Sequence, residues 1–374
     1  MGLIIAMSVY QVRPGTQRSV DELLRVANEN PGVEVVIYNK TGCKLTSREL
    51  TENVNIIELL PETFGQTIGR LKINDNDHVI WCNDDDYFSF QNDILASITD
   101  LGTDCLGLPE MAIVTSSDSY QIGWDSLIQA SSISSRYQAY AITAAPLIFA
   151  VIPGPIFNIW TNYVRQSFIK FPYLDTQLNL ACLTAKVLSK APTHLYRYEA
   201  GNWESAQKMH ETTERWIREL KLNKDAVFTL DLCRSIEDVV FIYTHPTCNP
   251  KMKEDFIKVL LDQFKFMSEI QKSFFTKTAR GRIFVSLFTQ SPIGLQRLVR
   301  KLYQYYYTRS EPKYNELRRF QTSLPRQVLD IFLGLADVST FNDFKKMLNI
   351  EELNQYLCIP IEQVEHWKSM ISDS

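Results

Sequence analysis

Short apolar runs and helical patterns alternate along the first half of the chain. Two short, mostly apolar runs bounded by polar turns are typical of strands in a buried sheet: Leu3 to Val9 and Val33 to Tyr38. Between them, Ser19 to Ala27 carries apolar residues at the spacing of one helical face. This alternation predicts an α/β fold, a mainly parallel sheet with helices on both faces. The further elements predicted are strands at Asn53 to Leu60, His78 to Cys82 and His194 to Tyr198, and helices at Thr63 to Ile73 and Thr176 to Leu188.

The pattern changes near Glu204. Beyond it, long amphipathic helical patterns dominate, at Met252 to Phe275, Leu295 to Tyr307 and Leu324 to Leu335. A chain of 374 residues with 45% hydrophobic content is long enough for two cores. We therefore predict an α/β domain over residues 1–203 and a mainly helical C-terminal domain over residues 204–374.

The most apolar stretch runs from Ala139 to Trp160 and is long enough to span a bilayer. Pro146, Pro153 and Pro155 would interrupt the backbone hydrogen bonds that a spanning helix needs, so the stretch is predicted to be a buried strand followed by a turn. The first eight residues lack the basic region of a secretory leader. The expected location is the cytoplasm.

Charge is unevenly distributed along the chain. The net charge of -4 argues against nucleic acid as a partner, but residues 251–320 hold fifteen Lys or Arg and only six Asp or Glu. Within that segment, Arg297 to Arg309 interleaves basic and aromatic residues. Two interpretations stay open: a packed helix with a solvated basic face, or a surface that meets an anionic membrane or a lipid-linked acceptor. The second would place the protein peripherally at the inner face of the membrane.

The segment VIWCNDDDYF, Val79 to Phe88, carries the clearest chemical pattern. An apolar strand that ends in Asp84, Asp85 and Asp86 puts carboxylates at the carboxyl edge of a parallel sheet, where open α/β folds bind ligands. Adjacent carboxylates repel one another unless they are solvated, hydrogen-bonded or neutralised, and oxygen ligands suit Mg²⁺ or Mn²⁺. The alternative is a polar turn with no ligand, because Asp and Asn are common turn residues.

Three strand ends together resemble the nucleotide-binding half of the GT-A glycosyltransferases. They are MSVYQVRPG, VVIYNKTG and the strand that ends in NDDDYF, and the last is similar to the bacterial family 2-like enzymes, with an apolar strand before DDD and an aromatic residue. The resemblance implies that Asp84, Asp85 and Asp86 bind a divalent cation, Mn²⁺ or Mg²⁺, on the donor's diphosphate. It also implies that Val9 and Tyr10 receive the nucleotide base. Asn39 falls where many relatives have Asp, so the base or ribose contact there departs from the family pattern.

The resemblance continues as far as Ala200, through AVIPGPIFNIW and FPYLDTQLNLACLTAKVL. Asp175 matches the acid that removes the acceptor hydroxyl's proton in inverting members, although Leu174-Asp175 stands in place of the usual Glu-Asp pair. A carboxylate at a helix N-terminus could act as this base. The alternative is an ordinary N-cap.

Weaker candidates surround this set. Arg13 and Arg70 could approach the donor's phosphates or could be ordinary surface arginines. His194 follows Asp175 in the region from which some GT-A enzymes draw a further metal ligand, but the five histidines are too dispersed to assign one.

The predicted function is a metal-dependent glycosyltransferase of the hexosyltransferase type. It would move a sugar from a nucleotide diphosphate sugar to a glycan or lipid-linked acceptor in surface polysaccharide synthesis. A nucleotidyltransferase of sugar phosphates and a non-catalytic binding module stay open as alternatives. The sequence contains no GxGxxG after the first strand and no GxxxxGK[ST] loop, which argues against a Rossmann dehydrogenase and a P-loop NTPase.

Overall fold

The computed structural model describes ten stretches of the chain: residues 2–13, 15–47, 49–60, 64–114, 119–143, 146–166, 175–199, 230–261, 340–349 and 361–372. The chain divides into two compact units, Met1–Thr212 with His245–Cys248, and Thr213–Thr244 with Asn249–Ser374. The domain boundary predicted between residues 203 and 204 lies outside the described residues.

The larger sheet of the first unit has five strands in the order β3-β2-β1-β4-β8. Its strands are β1 (Leu3–Val9), β2 (Val33–Asn39), β3 (Val54–Glu58), β4 (His78–Asn83) and β8 (Ile152–Pro153). The first four are parallel, and β8 is antiparallel to β4. All seven residues of β1 are buried, because this strand has neighbours on both sides and a covered face above and below.

A smaller sheet begins directly after Asp84, Asp85 and Asp86. Its order is β5-β9-β6-β7, with β5 at Tyr87–Phe90, β6 at Cys105–Val114, β7 at Ser119–Gln121 and β9 at Val187–Glu199. Strand β9 pairs in parallel with β6 and antiparallel with β5. The three residues between β4 and β5 therefore connect the two sheets.

The described residues of the first unit contain seven α-helices around its two sheets. They are α1 (Thr16–Glu29), α2 (Phe64–Ile68), α3 (Ile94–Thr99), α4 (Asp125–Gln129), α5 (Ile133–Thr143), α6 (Gly154–Gln166) and α7 (Asp175–Leu183). The connection from β1 to β2 moves outward along the sheet, whereas the connection from β3 to β4 returns across it. Because such crossovers are right-handed, α1 and α2 lie on opposite faces. The predicted fold class is confirmed.

The described part of the second unit is helical. It contains α8 (Leu230–Thr244), helical residues 250–261, α9 (Phe341–Leu348) and α10 (Ile361–Ser372). Glu237 of α8 is buried and accepts hydrogen bonds from Gln363 at 3.1 Å and from the Trp367 indole at 2.8 Å, which ties α8 to α10. Among the described residues, no helix combines the length and the apolar character that a membrane crossing requires.

Several predicted helical patterns of the second unit cannot be compared with the structure. The structure does not describe three of these patterns in full: Leu295–Tyr307, Leu324–Leu335 and the end of Met252–Phe275. The basic and aromatic segment Arg297–Arg309 also lies outside the described residues. The membrane or lipid contact predicted for that segment stays a prediction.

The prediction of a buried strand followed by a turn within Ala139–Trp160 is wrong for most of that stretch. Among its described residues, β8 is the one strand, Val151 before it forms an isolated antiparallel bridge with Gly107, and α6 follows β8 at once. A Cβ atom on Gly154 would lie 2.2 Å from the backbone oxygen of Asn74, so only glycine lets the chain pass this close. Pro155 then takes an early position in α6, where its missing N–H has no helical acceptor to lose.

The helix predicted at Thr176–Leu188 ends earlier, at Leu183. Arg136 of α5 donates hydrogen bonds to the carbonyl of Leu183, the last residue of α7, and to the carbonyls of Ala185 and Lys186 just beyond it. The last carbonyls of a helix have no partner within it, so the bond to Leu183 stabilises this end. The chain beyond them enters β9, whose alternation of side chains was predicted only from His194 onward. A tertiary contact that local sequence does not contain therefore sets this boundary.

Candidate active site

The carboxyl ends of β1 and β4 form the point where the direction of the sheet reverses. From β1 the chain builds outward to β2 and β3, then returns to β4 on the other side of β1. Open α/β sheets bind ligands at this kind of switch point. Ser8 of β1 pairs in register with Asn83 of β4, so the loops that contain Tyr10 and Asp84 leave the sheet at the same edge, from neighbouring strands.

We call Asp84–Asp86, which turn the chain from β4 into β5, the acid loop. Asp84 is only 3% exposed, and its Oδ2 atom is buried with no hydrogen-bond partner among the described residues. Burial raises the pKa of this carboxyl to about 7; the nearby Arg13 opposes the rise and Asp85 adds to it. An unpaired buried carboxylate oxygen is costly for folding, so its retention points to a ligand.

Arg13 is the cation that faces this carboxylate. Its Nη1 atom lies 2.9 Å from Asp85 Oδ2 and 3.8 Å from Asp84 Oδ1, and its side chain is 36% exposed. The backbone of Arg13 is fixed by Thr16 at the start of α1. The Arg13 N–H donates to Thr16 Oγ1 at 2.9 Å, and the Thr16 N–H donates to the Arg13 carbonyl at 3.0 Å. The guanidinium therefore reaches both aspartates from a fixed point.

Asp86 is engaged from the other direction, by Tyr196 of β9. Its Oδ2 atom accepts a 2.6 Å hydrogen bond from the Tyr196 hydroxyl and a 3.2 Å bond from the Asn83 amide. The Tyr196 hydroxyl also accepts the Asn83 backbone N–H at 3.3 Å. Tyr196 is completely buried and stacks on Phe149 with 4.0 Å between ring centroids. Burial and the charge of Asp86 raise the pKa of Tyr196 well above its usual value.

The structure therefore separates the three aspartates that were predicted to bind metal together. Asp84 and Asp85 share Arg13, whereas Asp86 Oδ2 is hydrogen-bonded within the protein. Within the described ranges, no group of three or more His, Cys, Asp or Glu side chains is arranged to hold a metal ion. Two carboxylates, one with an unpaired oxygen, do fit an ion whose other ligands are phosphates and water, as is usual for Mg²⁺. A metal role for Asp86 stays a prediction.

At the end of β2, Asn39 stabilises a turn. Its Nδ2 atom donates to the Cys43 carbonyl at 2.7 Å and to Glu58 Oε1 at 2.8 Å, and its Oδ1 atom accepts from the Thr41 N–H and hydroxyl. Asn39 is completely buried. Both amide hydrogens and both lone pairs are therefore used, and a contact with a donor would require one of these bonds to exchange. The donor contact of Asn39 stays a prediction.

Lys40, which sequence analysis missed, contacts both residues of the edge predicted to receive the base. Val9 is completely buried, and its carbonyl accepts the Lys40 N–H at 2.9 Å. Tyr10 is half-buried, and the Lys40 ammonium lies 3.8 Å from its ring centroid. A desolvated cation against an aromatic face fixes the ring. Tyr10 is thus the member of this pair with surface to offer a ligand, and no sequence pattern singled out Lys40.

The remaining candidates are placed as follows. Arg70 follows α2 and is exposed. Arg165 donates hydrogen bonds to the carbonyls of the residues on either side of it, Gly69 and Leu71. The contact of Arg70 with a donor stays a prediction. His194 is buried with both ring nitrogens engaged, by Thr193 at 2.8 Å and the Phe149 carbonyl at 3.0 Å. Burial lowers its pKa to about 4. The ring is neutral at physiological pH and has no nitrogen left to bind a metal.

Asp175 is the first residue of α7, as predicted. The helix is anchored by Arg136 at its carboxyl end and by Asn179, whose Oδ1 atom accepts the Leu147 N–H at 2.7 Å. Its catalytic role stays a prediction.

Comparison with known proteins gives weak structural likenesses. No family model and no curated protein matches the chain. Among solved structures, S. aureus TarS residues 1-349 aligns with 14% identity and a TM-score of 0.41, covering 100% of this chain and 91% of that one. The same fragment in complex with UDP-GlcNAc aligns with 12% identity and a TM-score of 0.44, at the same coverage. Likenesses this weak assign no function to the chain.

Replacement of Tyr196 by Phe tests the support of the acid loop. The change leaves the Asp86 carboxylate without its 2.6 Å donor and the Asn83 N–H without its acceptor. We expect the free energy of unfolding to fall by about 1–3 kcal/mol, measured by chemical denaturation. Tyr87→Phe, in the adjoining strand, is the matched control and should change it by less than about 0.5 kcal/mol. Equal losses in the two variants would contradict the proposed role of the Tyr196 hydroxyl.

Replacement of Asp84 by Asn tests its burial. The folded chain holds a proton on this carboxyl up to about pH 7, whereas the unfolded chain releases it near its ordinary value of 3.8. Between these values the folded state binds more protons, so wild-type stability falls as pH rises. Without metal, we expect the stability gain of Asp84→Asn to be about 2 kcal/mol larger at pH 8 than at pH 5. The same gain at both pH values would contradict this expectation.

Proposed function

We propose that the chain is a metal-dependent glycosyltransferase that uses a nucleotide diphosphate sugar as donor. The observation that carries the proposal is the unpaired, buried Oδ2 atom of Asp84 at the switch point of the sheet, beside Asp85. A divalent cation and the diphosphate it binds would supply what this oxygen lacks. The sequence resemblance to GT-A enzymes adds the reaction class.

The N-terminus of α1 supports an anionic ligand at the same place. A Cβ atom on Gly15 would lie 3.9 Å from the Asp84 carbonyl, so this helix begins beside the acid loop. The first turn of α1 contains no acidic residue. The free N–H groups and the dipole of a helix N-terminus favour phosphate, and Arg13 adds a full positive charge. A diphosphate on this edge would meet donors from the protein as well as the ion.

Each residue has a distinct task in the proposed reaction. Asp84 and Asp85 hold the ion, and Asp86 keeps their loop in position through Tyr196. The ion, when bound, balances negative charge on the departing diphosphate. Tyr10, fixed by Lys40, offers its ring to the base.

The chemical step is a displacement at the anomeric carbon. Asp175 takes the proton of an acceptor hydroxyl, the hydroxyl oxygen bonds to the anomeric carbon, and the bond from that carbon to the diphosphate oxygen breaks. A single displacement of this kind inverts the anomeric configuration. By resemblance alone, the sugar is a hexose and the acceptor is a glycan or lipid-linked glycan of a surface polysaccharide.

Metal-dependent nucleotide binding tests the proposal. In calorimetric titrations with UDP, GDP, ADP and CDP, we expect at least one to bind about ten-fold more tightly with Mn²⁺ than with EDTA. Asp84→Asn and Asp85→Asn should abolish the enhancement and lower transfer by about 100-fold or more. Asp100→Asn, at an exposed carboxylate after α3, is the charge-matched control and should change neither.

Two results would contradict the proposal. Nucleotide binding that Mn²⁺ does not enhance would favour a non-catalytic module. Release of pyrophosphate from a nucleoside triphosphate and a sugar phosphate would favour a nucleotidyltransferase.

The product's stereochemistry tests Asp175. With the donor identified by the titrations, NMR of the fresh product should show inverted anomeric configuration. Asp175→Asn should lower kcat by about 100-fold or more, with the affinity for the nucleotide diphosphate unchanged, because the base acts on the acceptor. A product with retained configuration would remove Asp175 from this role, as would an unchanged kcat.

A further inference from the structure

One guanidinium occupies the side of the acid loop where an ion would bind. Arg13 contacts Asp85 at 2.9 Å and Asp84 at 3.8 Å, the two carboxylates that the proposed function assigns to the metal. Neutralisation of Asp84 by Arg13 is incomplete, because the guanidinium stays 3.8 Å from Oδ1 and the buried Oδ2 atom has no hydrogen-bond partner among the described residues. The arginine therefore offsets part of the negative charge of the two carboxylates and leaves one of their oxygens without a hydrogen bond from the part of the chain that the structure describes.

We propose that Arg13 is an exchangeable counterion: it holds Asp84 and Asp85 in the empty site and transfers to the donor's diphosphate when the metal enters. The inference rests on the proposed function and adds a mechanism of coupling to it. A divalent ion and a guanidinium repel one another, so they cannot share these two carboxylates at close range. The diphosphate, which arrives with the ion, gives Arg13 a planar, doubly hydrogen-bonded partner of the kind guanidinium groups prefer.

The structure lets the side chain move while its base stays in place. Two hydrogen bonds between Arg13 and Thr16 fix the backbone at the start of α1. The Arg13 side chain is 36% exposed, whereas that of Asp84 is 5% exposed. The cation can thus exchange partners by rotation about its own side-chain bonds, and the carboxylates need not move. Its reach from the α1 N-terminus covers the place proposed for the diphosphate.

This exchange couples the two ligands. Metal alone must displace Arg13 and leaves it without a partner, so Mn²⁺ alone should bind weakly. Metal with diphosphate restores a partner to every charge, so the two should bind cooperatively. The device would keep the site from holding a bare ion and would make donor binding the event that loads the metal.

Electron paramagnetic resonance of free Mn²⁺ tests this coupling. Arg13→Gln should bind Mn²⁺ alone about ten-fold more tightly than the wild type, because the competing cation is gone. The same variant should lose most of the enhancement that Mn²⁺ and the nucleoside diphosphate give one another. Arg18→Gln is the matched control. It removes the same charge from the first turn of α1, where the Arg18 guanidinium lies over the Tyr87 ring at 4.6 Å from the centroid, and should shift Mn²⁺ affinity by less than about two-fold.

The outcomes separate this inference from the proposed function. Cooperative binding in the wild type, with no tighter Mn²⁺ binding by Arg13→Gln, overturns the exchange and leaves the function intact. Equal tightening in Arg18→Gln also overturns it, since net charge alone would then explain the effect. No binding of Mn²⁺ with any nucleoside diphosphate, in a wild type shown by thermal denaturation to be folded, overturns both. Arg13→Gln needs the same denaturation check.

Discussion

Two neighbouring carboxylates, one of them almost completely removed from water, must share a cation at the corner of a sheet. This electrostatic constraint organises the site. Asp84 is placed by β4, whose burial leaves the carboxylate little solvent, and Asp85 follows in the same turn. Arg13 supplies the charge from the neighbouring strand's loop. The two hydrogen bonds that hold the Arg13 backbone to Thr16 of α1 meet this constraint, because they keep the guanidinium within reach of both Asp84 and Asp85.

The acid loop also joins two sheets of different architecture. The larger sheet delivers β4 to the loop, and the smaller sheet begins with β5 immediately after it. Tyr196 lies on β9, far along the chain, yet its hydroxyl meets both Asp86 and Asn83. Formation of the loop therefore depends on pairing of β9 with β5, a contact between residues more than a hundred positions apart. The local geometry of the acids is a product of the whole first unit.

Sequence patterns predicted what depends on local periodicity. The strand β1, the helix α1 and the strand that ends in the aspartates follow from runs and spacings of apolar residues, so their positions could be read from the chain. The division of labour among the three aspartates could not, because it is decided by Tyr196 and Arg13, which reach the loop through tertiary structure. The same holds for Lys40 beneath Tyr10 and for Asn39, whose side chain is used entirely within its own turn.

Helix boundaries show a similar limit. Arg136 and Gly154 fix the end of α7 and the start of α6 through contacts with distant backbone. The sequence contains many other arginines and glycines that do not set a helix boundary, so residue type alone does not identify these two. The spacing of apolar residues in one segment contains no information about a backbone carbonyl of another segment that lies against it.

Arg136 holds α7 at one end, so a tilt of the helix around that end moves its other end most. The guanidinium holds three carbonyls at and just beyond the C-terminal end of this nine-residue helix, and Asp175 is the first residue at the opposite end. At 1.5 Å per residue, a tilt of about 10° around the gripped end displaces the far end by about 2 Å. A displacement of this size is enough to form or break a hydrogen bond, whose donor–acceptor distance varies by only about 0.5 Å. A small change in the angle of α7 at Arg136 would therefore displace the opposite end of the helix, where Asp175 is the first residue, by a length that makes or breaks a hydrogen bond.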